Sequence, residues 1–232
     1  APPGYARFVR RVVTGLLTGA AALAAAFAAL QAPFDRGSFE LGREHEASGI
    51  VRAHPAPMLV VPSPAAAQSA TALLVRAWKH GAAAEAAALD GHRVTVRAHR
   101  VASPHGEMLQ LVPGSIQDHG ASGSAPAHEP LGRFRLRGEL VDSKCYLGVM
   151  KPGRGKPHRG CAARCLSGGI PPLLLVEDRD GERVALLVAT DDGAPLPRGL
   201  LDHVGESVEL EGEVARHDGV LTLTLASEAR PR

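Results

Sequence analysis

The chain has 232 residues and a formal net charge of +2, from 26 Lys and Arg against 24 Asp and Glu, so no global field draws it to nucleic acid or acidic lipid. Its aromatic residues are five Phe, two Tyr and one Trp, too few rings for base stacking to argue for a nucleic-acid partner. No H-E-x-x-H, G-x-S-x-G or phosphate-loop pattern occurs and no catalytic constellation stands out, so no catalytic residue is assigned and no enzyme is expected.

The first element is an anchor. Val12 to Phe34 carries no charge and exceeds the roughly 20 residues that a spanning helix needs. Arg7, Arg10 and Arg11 precede it and Asp35 follows it, so the positive-inside rule predicts residues 1–11 as a cytoplasmic N-terminus and 12–34 as a single-pass helix. The bulk of the chain is then expected in the periplasm, held at the inner membrane. A cleaved export signal shares this composition; the reading taken is a retained anchor. Small residues at Gly15, Gly19, Ala22 and Ala26 allow another helix to approach closely within lipid, so the expected partners are the bilayer and other membrane-protein subunits.

The exported part reads as duplicated and mainly β. Gly91, Val94 and Val96, leading to a turn at Pro104-His105-Gly106, match Gly205, Val208 and Leu210, leading to a turn at His217-Asp218-Gly219, at a shift of 114. The opening strands, Gly49-Ile50-Val51 and Gly138-Glu139-Leu140, match at a shift of 89, so the second copy carries a surplus of 25 residues between its first and later strands. Each copy adds a middle hairpin (58–61 with 71–75, and 172–176 with 183–188) and a short helix (82–89, and 196–204) before the last hairpin. Three strands, a helix and two strands predict a small OB-like β-barrel. The expected organisation is therefore a transmembrane helix followed by two tandem OB-like barrels, 35–112 and 131–228, joined by a Gly/Ser/Pro-rich linker at 113–130. Trp78 is expected to pack inside the first barrel.

The surplus coincides with residues 142–169, which hold all three cysteines. Cys161 and Cys165 share a face if 162–166 is helical, with Gly168 and Gly169 ending that helix. Together with Cys145 and His158 they make a candidate Cys3His site, suited to zinc, copper or an iron centre. The alternative is a disulfide between Cys145 and Cys161 or Cys165, the default in an oxidising compartment. Lys144, Lys151, Arg154, Lys156, Arg159 and Arg164 make the same segment cationic, as a solvated loop or a docking face for an anion or acidic partner. A functional loop of this kind is expected on the surface of its β scaffold.

Asp142-Ser143-Lys144-Cys145, Cys161-Ala162-Ala163-Arg164-Cys165 and Gly168-Gly169-Ile170-Pro171-Pro172 resemble a motif of small exported bacterial proteins with an OB-like core and an unassigned role. The resemblance covers about residues 133–226 and implies a shared fold and cysteine site, but no activity. The expected function is a non-catalytic accessory or assembly subunit of a larger respiratory or photosynthetic membrane complex. The alternative is a periplasmic metal-binding or redox protein using the Cys3His set.

Overall fold

The structure is a computed structural model that describes residues 2–31, 37–61, 70–191 and 193–226. It divides into an N-terminal helical unit, Ala1–Phe34, and a compact β unit, Asp35–Arg232.

The helix α1 spans Tyr5–Leu30, has a mean hydropathy of 1.9 in its most apolar window and buries none of its residues, so by length and composition it is able to cross a membrane. It starts earlier than the expected Val12 because Arg7, Arg10 and Arg11 are good helix formers and the helix-breaking pair Pro2-Pro3 lies before them. The end expected at residues 32–34 falls outside the described residues.

The β unit begins with β1 (Ser38–Arg52), β2 (Met58–Val61), β3 (Ala70–Val75), a short helix α2 (Ala83–Ala88), β4 (His92–Ser103) and β5 (Gly106–Leu111). The second half repeats the order with β7 (His128–Asp142), β8 (Pro172–Glu177), β9 (Arg183–Thr190), the helix α4 (Arg198–Leu201), β10 (Ser207–His217) and β11 (Val220–Leu225). Its pairings β7–β8–β9–β11–β10–β7 close a five-stranded barrel, antiparallel except for β9 with β11. In the first half β1 to β5 pair in the same order and senses, within a six-stranded sheet.

Two glycine pairs show why the repeat was visible in the sequence. Gly49 and Gly138 sit where the long strands β1 and β7 pass from one partner to the next. The residue after each, Ile50 or Glu139, pairs on both sides. A Cβ at Gly49 would meet the Val60 carbonyl oxygen, and one at Gly138 the Leu175 carbonyl oxygen, so only glycine permits the approach. Gly91 and Gly205 precede the equivalent strands β4 and β10 with φ of 76° and 75°.

The expected linker contains strand in two places. Within it β6 (Gln117–Ala121) adds antiparallel to β4, and β7 already starts at His128. The edge of β4 offers unpaired backbone groups, and Asp118 accepts from His92 Nδ1 at 2.9 Å across the pair. Composition alone carries no trace of such a cross-strand partner. Trp78 departs from expectation as well: it is 84% exposed, with φ of 60°.

The surplus of the second half contains a π-helical turn at Cys145–Val149, a 3-10 turn at Lys156–His158 and the helix α3 (Arg159–Ser167). Its start and one side of α3 are interior, while Met150–Pro152, Lys156, Arg159 and Arg164 stay exposed. Cys145, Tyr146, Leu147, Cys165 and Ile170 lie in one buried cluster with Met58, Leu73, Val75, Val101 and Met108 of the first half. The seam is completed by a polar knot at Asp218, whose Oδ2 accepts from Arg52 Nε at 3.2 Å while its Oδ1 accepts from the Ala127 amide at 3.0 Å. Thr71 donates its hydroxyl to the Asp218 carbonyl at 2.5 Å.

Both side chains of the Arg52–Asp218 pair are under a tenth exposed, so Arg52→Met leaves a buried carboxylate unpaired. It is expected to destabilise the β unit by about 3–5 kcal/mol, measured by chemical denaturation of the full chain in detergent. Adding Asp218→Asn should recover part of the loss, whereas equal stability of wild type and Arg52→Met would show that the pair contributes nothing.

Candidate metal centre

Asp142 ends β7 with its carboxylate fully buried. Oδ1 accepts the Cys145 amide at 2.9 Å and fixes the turn that carries that thiol, and Oδ2 lies 3.0 Å from His158 Nε2. One carboxylate thus sets the position of two expected ligands.

The other two thiols come from α3. Cys161 and Cys165 are one turn apart on that helix, and a Schellman arrangement ends it: the Ile170 amide bonds the Cys165 carbonyl, the Gly169 amide bonds that of Leu166, and Gly169 adopts φ of 87°. Gly168 is required for a different reason. A side chain there would collide with the Lys79 carbonyl oxygen, as one at Gly81 would with that of Gly169. The first-half loop 76–81 is therefore laid directly against the end of α3, and the Gly81 amide bonds the Gly168 carbonyl at 2.9 Å.

That contact delivers two lysines. Lys79 donates from Nζ to Cys161 Sγ at 2.8 Å and to Cys165 Sγ at 3.4 Å. Lys144, 3% exposed, donates instead to the carbonyls of Arg76 at 3.0 Å and Trp78 at 2.6 Å, which holds the loop in place. The segment is thus not uniformly a solvated cationic loop. Besides the buried Lys144, Arg159 bonds Glu206 at 2.7 Å and Arg154 lies 3.9 Å from Glu139.

The expected ligands fall into two groups that share Cys145. Ligand atoms of Cys145, His158 and Cys161 lie within 4.8 Å of one another, and so do those of Asp142, Cys145 and Cys165. The three cysteines are free, with Cys145 Sγ 3.9 Å from Cys161 Sγ. Sequence reasoning named the Cys3His set but missed Asp142 and Lys79. Asp142 was legible as the strand-end acid three residues before Cys145; Lys79, 82 residues before Cys161, left no signal.

The electrostatics separate the groups. A hydrogen bond from Cys145, assisted by Lys79, holds the Cys165 thiol down at about 7, and the same bond with burial and Asp142 pushes Cys145 upward. Of this pair, Cys165 is the one favoured as thiolate and Cys145 as thiol. Lys79 is held above the ordinary lysine value, first by its bond to Cys161. Burial moves Lys144 the other way, from 10.5 to about 8.

No known protein-family model, curated protein or solved structure matches the chain.

The Lys144 shift has a measurable consequence. Its folded-state value lies below its unfolded one, so between about pH 8 and 10.5 the unfolded chain binds the proton that the folded chain releases, and stability contributed by this group rises with pH. The stability of wild type relative to Lys144→Met is expected to increase by on the order of 1 kcal/mol from pH 7 to pH 9. A flat difference across that range, in parallel denaturation curves, would show that Lys144 does not change protonation there.

Proposed function

We propose that the chain is a membrane-anchored, non-catalytic metal-binding protein in which Cys145, His158, Cys161 and Cys165 hold zinc at the seam of two OB-like halves. The carrying observation is that Cys145 lies within ligand reach of His158 and Cys161 on one side and of Cys165 on the other, so the three thiols and the imidazole of one short segment cluster around it. Zn–S bonds of about 2.3 Å in a tetrahedral site set neighbouring sulfurs about 3.8 Å apart, and Cys145 and Cys161 stand 3.9 Å apart. Three thiolates on a divalent ion leave one negative charge in excess, which the Lys79 ammonium beside Cys161 and Cys165 offsets. Asp142 on one ring nitrogen of His158 is the partner that orients a ligating histidine. The burial of Cys145, His158 and Cys165 suits a closed structural site rather than an open catalytic one.

The OB-like assignment rests on the strand order first–second–third–fifth–fourth, returning to the first, with only third and fifth parallel, in both halves. The anchor reading rests on α1 and the arginines at its start, which favour a cytoplasmic N-terminus and a periplasmic β unit.

One observation favours a second reading, an accessory subunit of a larger membrane electron-transfer complex: Lys144 holds out a loop whose Trp78 is 84% exposed, and exposed Trp is enriched at protein interfaces. Isolation of the native protein as a lone monomer counts against it.

Elemental analysis of the full chain purified in detergent is expected to give one zinc per chain, with the thiols titrating only after chelation. Asp142→Asn is expected to weaken zinc binding 10- to 100-fold by freeing His158. Stoichiometric copper or iron would replace zinc in the assignment. A metal-free protein with three titratable thiols, unable to take up any of the three metals, would overturn the reading.

A further inference from the structure

The contact between Lys79 and Cys161 has its own chemistry, independent of any metal. Nitrogen and sulfur stand 2.8 Å apart, inside the usual 2.9–3.0 Å of an N–H···O bond although sulfur is the larger atom. This is too far for a direct nitrogen–sulfur bond and close to the span of a single bridging atom. Cys161 is also partly exposed, unlike the buried Cys145 and Cys165, and Lys79 is partly exposed too. An oxidant from solvent thus meets Cys161 before the other thiols, with the Lys79 ammonium already held on its sulfur.

We propose that Lys79 and Cys161 form an oxidative modification site at which peroxide links Nζ to Sγ through one oxygen atom, tying the loop 76–81 covalently to α3. The first peroxide converts the Cys161 thiol to a sulfenic acid and leaves as water, forming the S–O bond. Lys79 then releases its ammonium proton to solvent, and the second peroxide oxidises the resulting amine: an O–N bond forms to the sulfenic oxygen, one N–H and the sulfenic O–H are lost, and two waters leave. In sum, thiol, amine and two peroxides give S–O–N–H and three waters, with sulfur and nitrogen oxidised and both peroxides reduced.

The geometry selects this product over its rivals. A disulfide to Cys145 requires closing 3.9 Å to a bond of about 2.05 Å, whereas the amine needs no approach. Both linked residues are already fixed, Cys161 by α3 and Lys79 by the close passage of its carbonyl against Gly168. The modification removes Cys161 as a metal ligand, so metal-bound and cross-linked states exclude each other.

The test is mass spectrometry of the full chain, chelator-treated, exposed to hydrogen peroxide and digested without reductant. The expected result is an intact mass higher by one oxygen and lower by two hydrogens, a peptide joining Lys79 to Cys161, and reversal of both by dithiothreitol. Lys79→Arg should lose the joined peptide and accumulate the sulfenic acid, trapped by dimedone, and Cys161→Ser should give neither. A Cys145–Cys161 disulfide, a direct Lys79–Cys161 link lacking the oxygen, dimedone labelling of wild type equal to that of Lys79→Arg, or no reaction at Cys161 each overturns the proposal. Zinc measured on the same preparation before chelation keeps the two readings apart: the cross-link without zinc removes only the metal assignment, and zinc without the cross-link removes only this one.

Discussion

Everything at the centre of this molecule depends on one close passage of backbone, that of the first-half loop 76–81 across the C-terminal end of α3. The contact is tight enough that neither Gly81 nor Gly168 tolerates a Cβ. It is tied by the bond from the Gly81 amide to the Gly168 carbonyl and by the two bonds from Lys144 to carbonyls of the loop. Without it Lys79 has no reason to lie on Cys161, and the cysteine segment would be the surface loop that its composition suggests.

The segment between β7 and β8 is better described as a keystone than as an insertion. A strand-to-strand connection placed on the surface would carry its polar backbone to water. This one folds into three short helical pieces, so most of its backbone bonds are made internally and its apolar residues are free to enter the shared core. Asp142 is the pivot. Its buried carboxylate is acceptable because both oxygens are engaged, one by the Cys145 amide and one by His158.

What the sequence disclosed follows from what is local. Alternating apolar residues, paired turn glycines and the four-residue spacing of Cys161 and Cys165 are each properties of a single element or of two neighbouring ones, and the strands and α3 follow them. The four candidate ligands were legible because they lie within one short segment. Burial of that segment, the strand β6 on the edge of β4, the exposure of Trp78 and the placement of Lys79 all depend on partners far away in the chain. Composition misled in two places for the same reason: Gly/Ser-rich stretches read as linkers and Lys/Arg-rich ones as solvated, although a cross-strand edge or a row of carbonyls can receive either.

The two lysines show how one seam divides its charge. Lys144 directs its protons to backbone carbonyls, and burial lowers its affinity for them; Lys79 directs its protons to sulfur, and the sulfurs raise its affinity. Exchange of these roles would leave a buried thiolate without a counter-charge and a loop without its ties. Lys144 therefore ties the loop in place, and Lys79 serves the thiols. Because Lys79 comes from one half and its thiols from the other, the chemical state of the cysteines bears directly on how firmly the halves are joined.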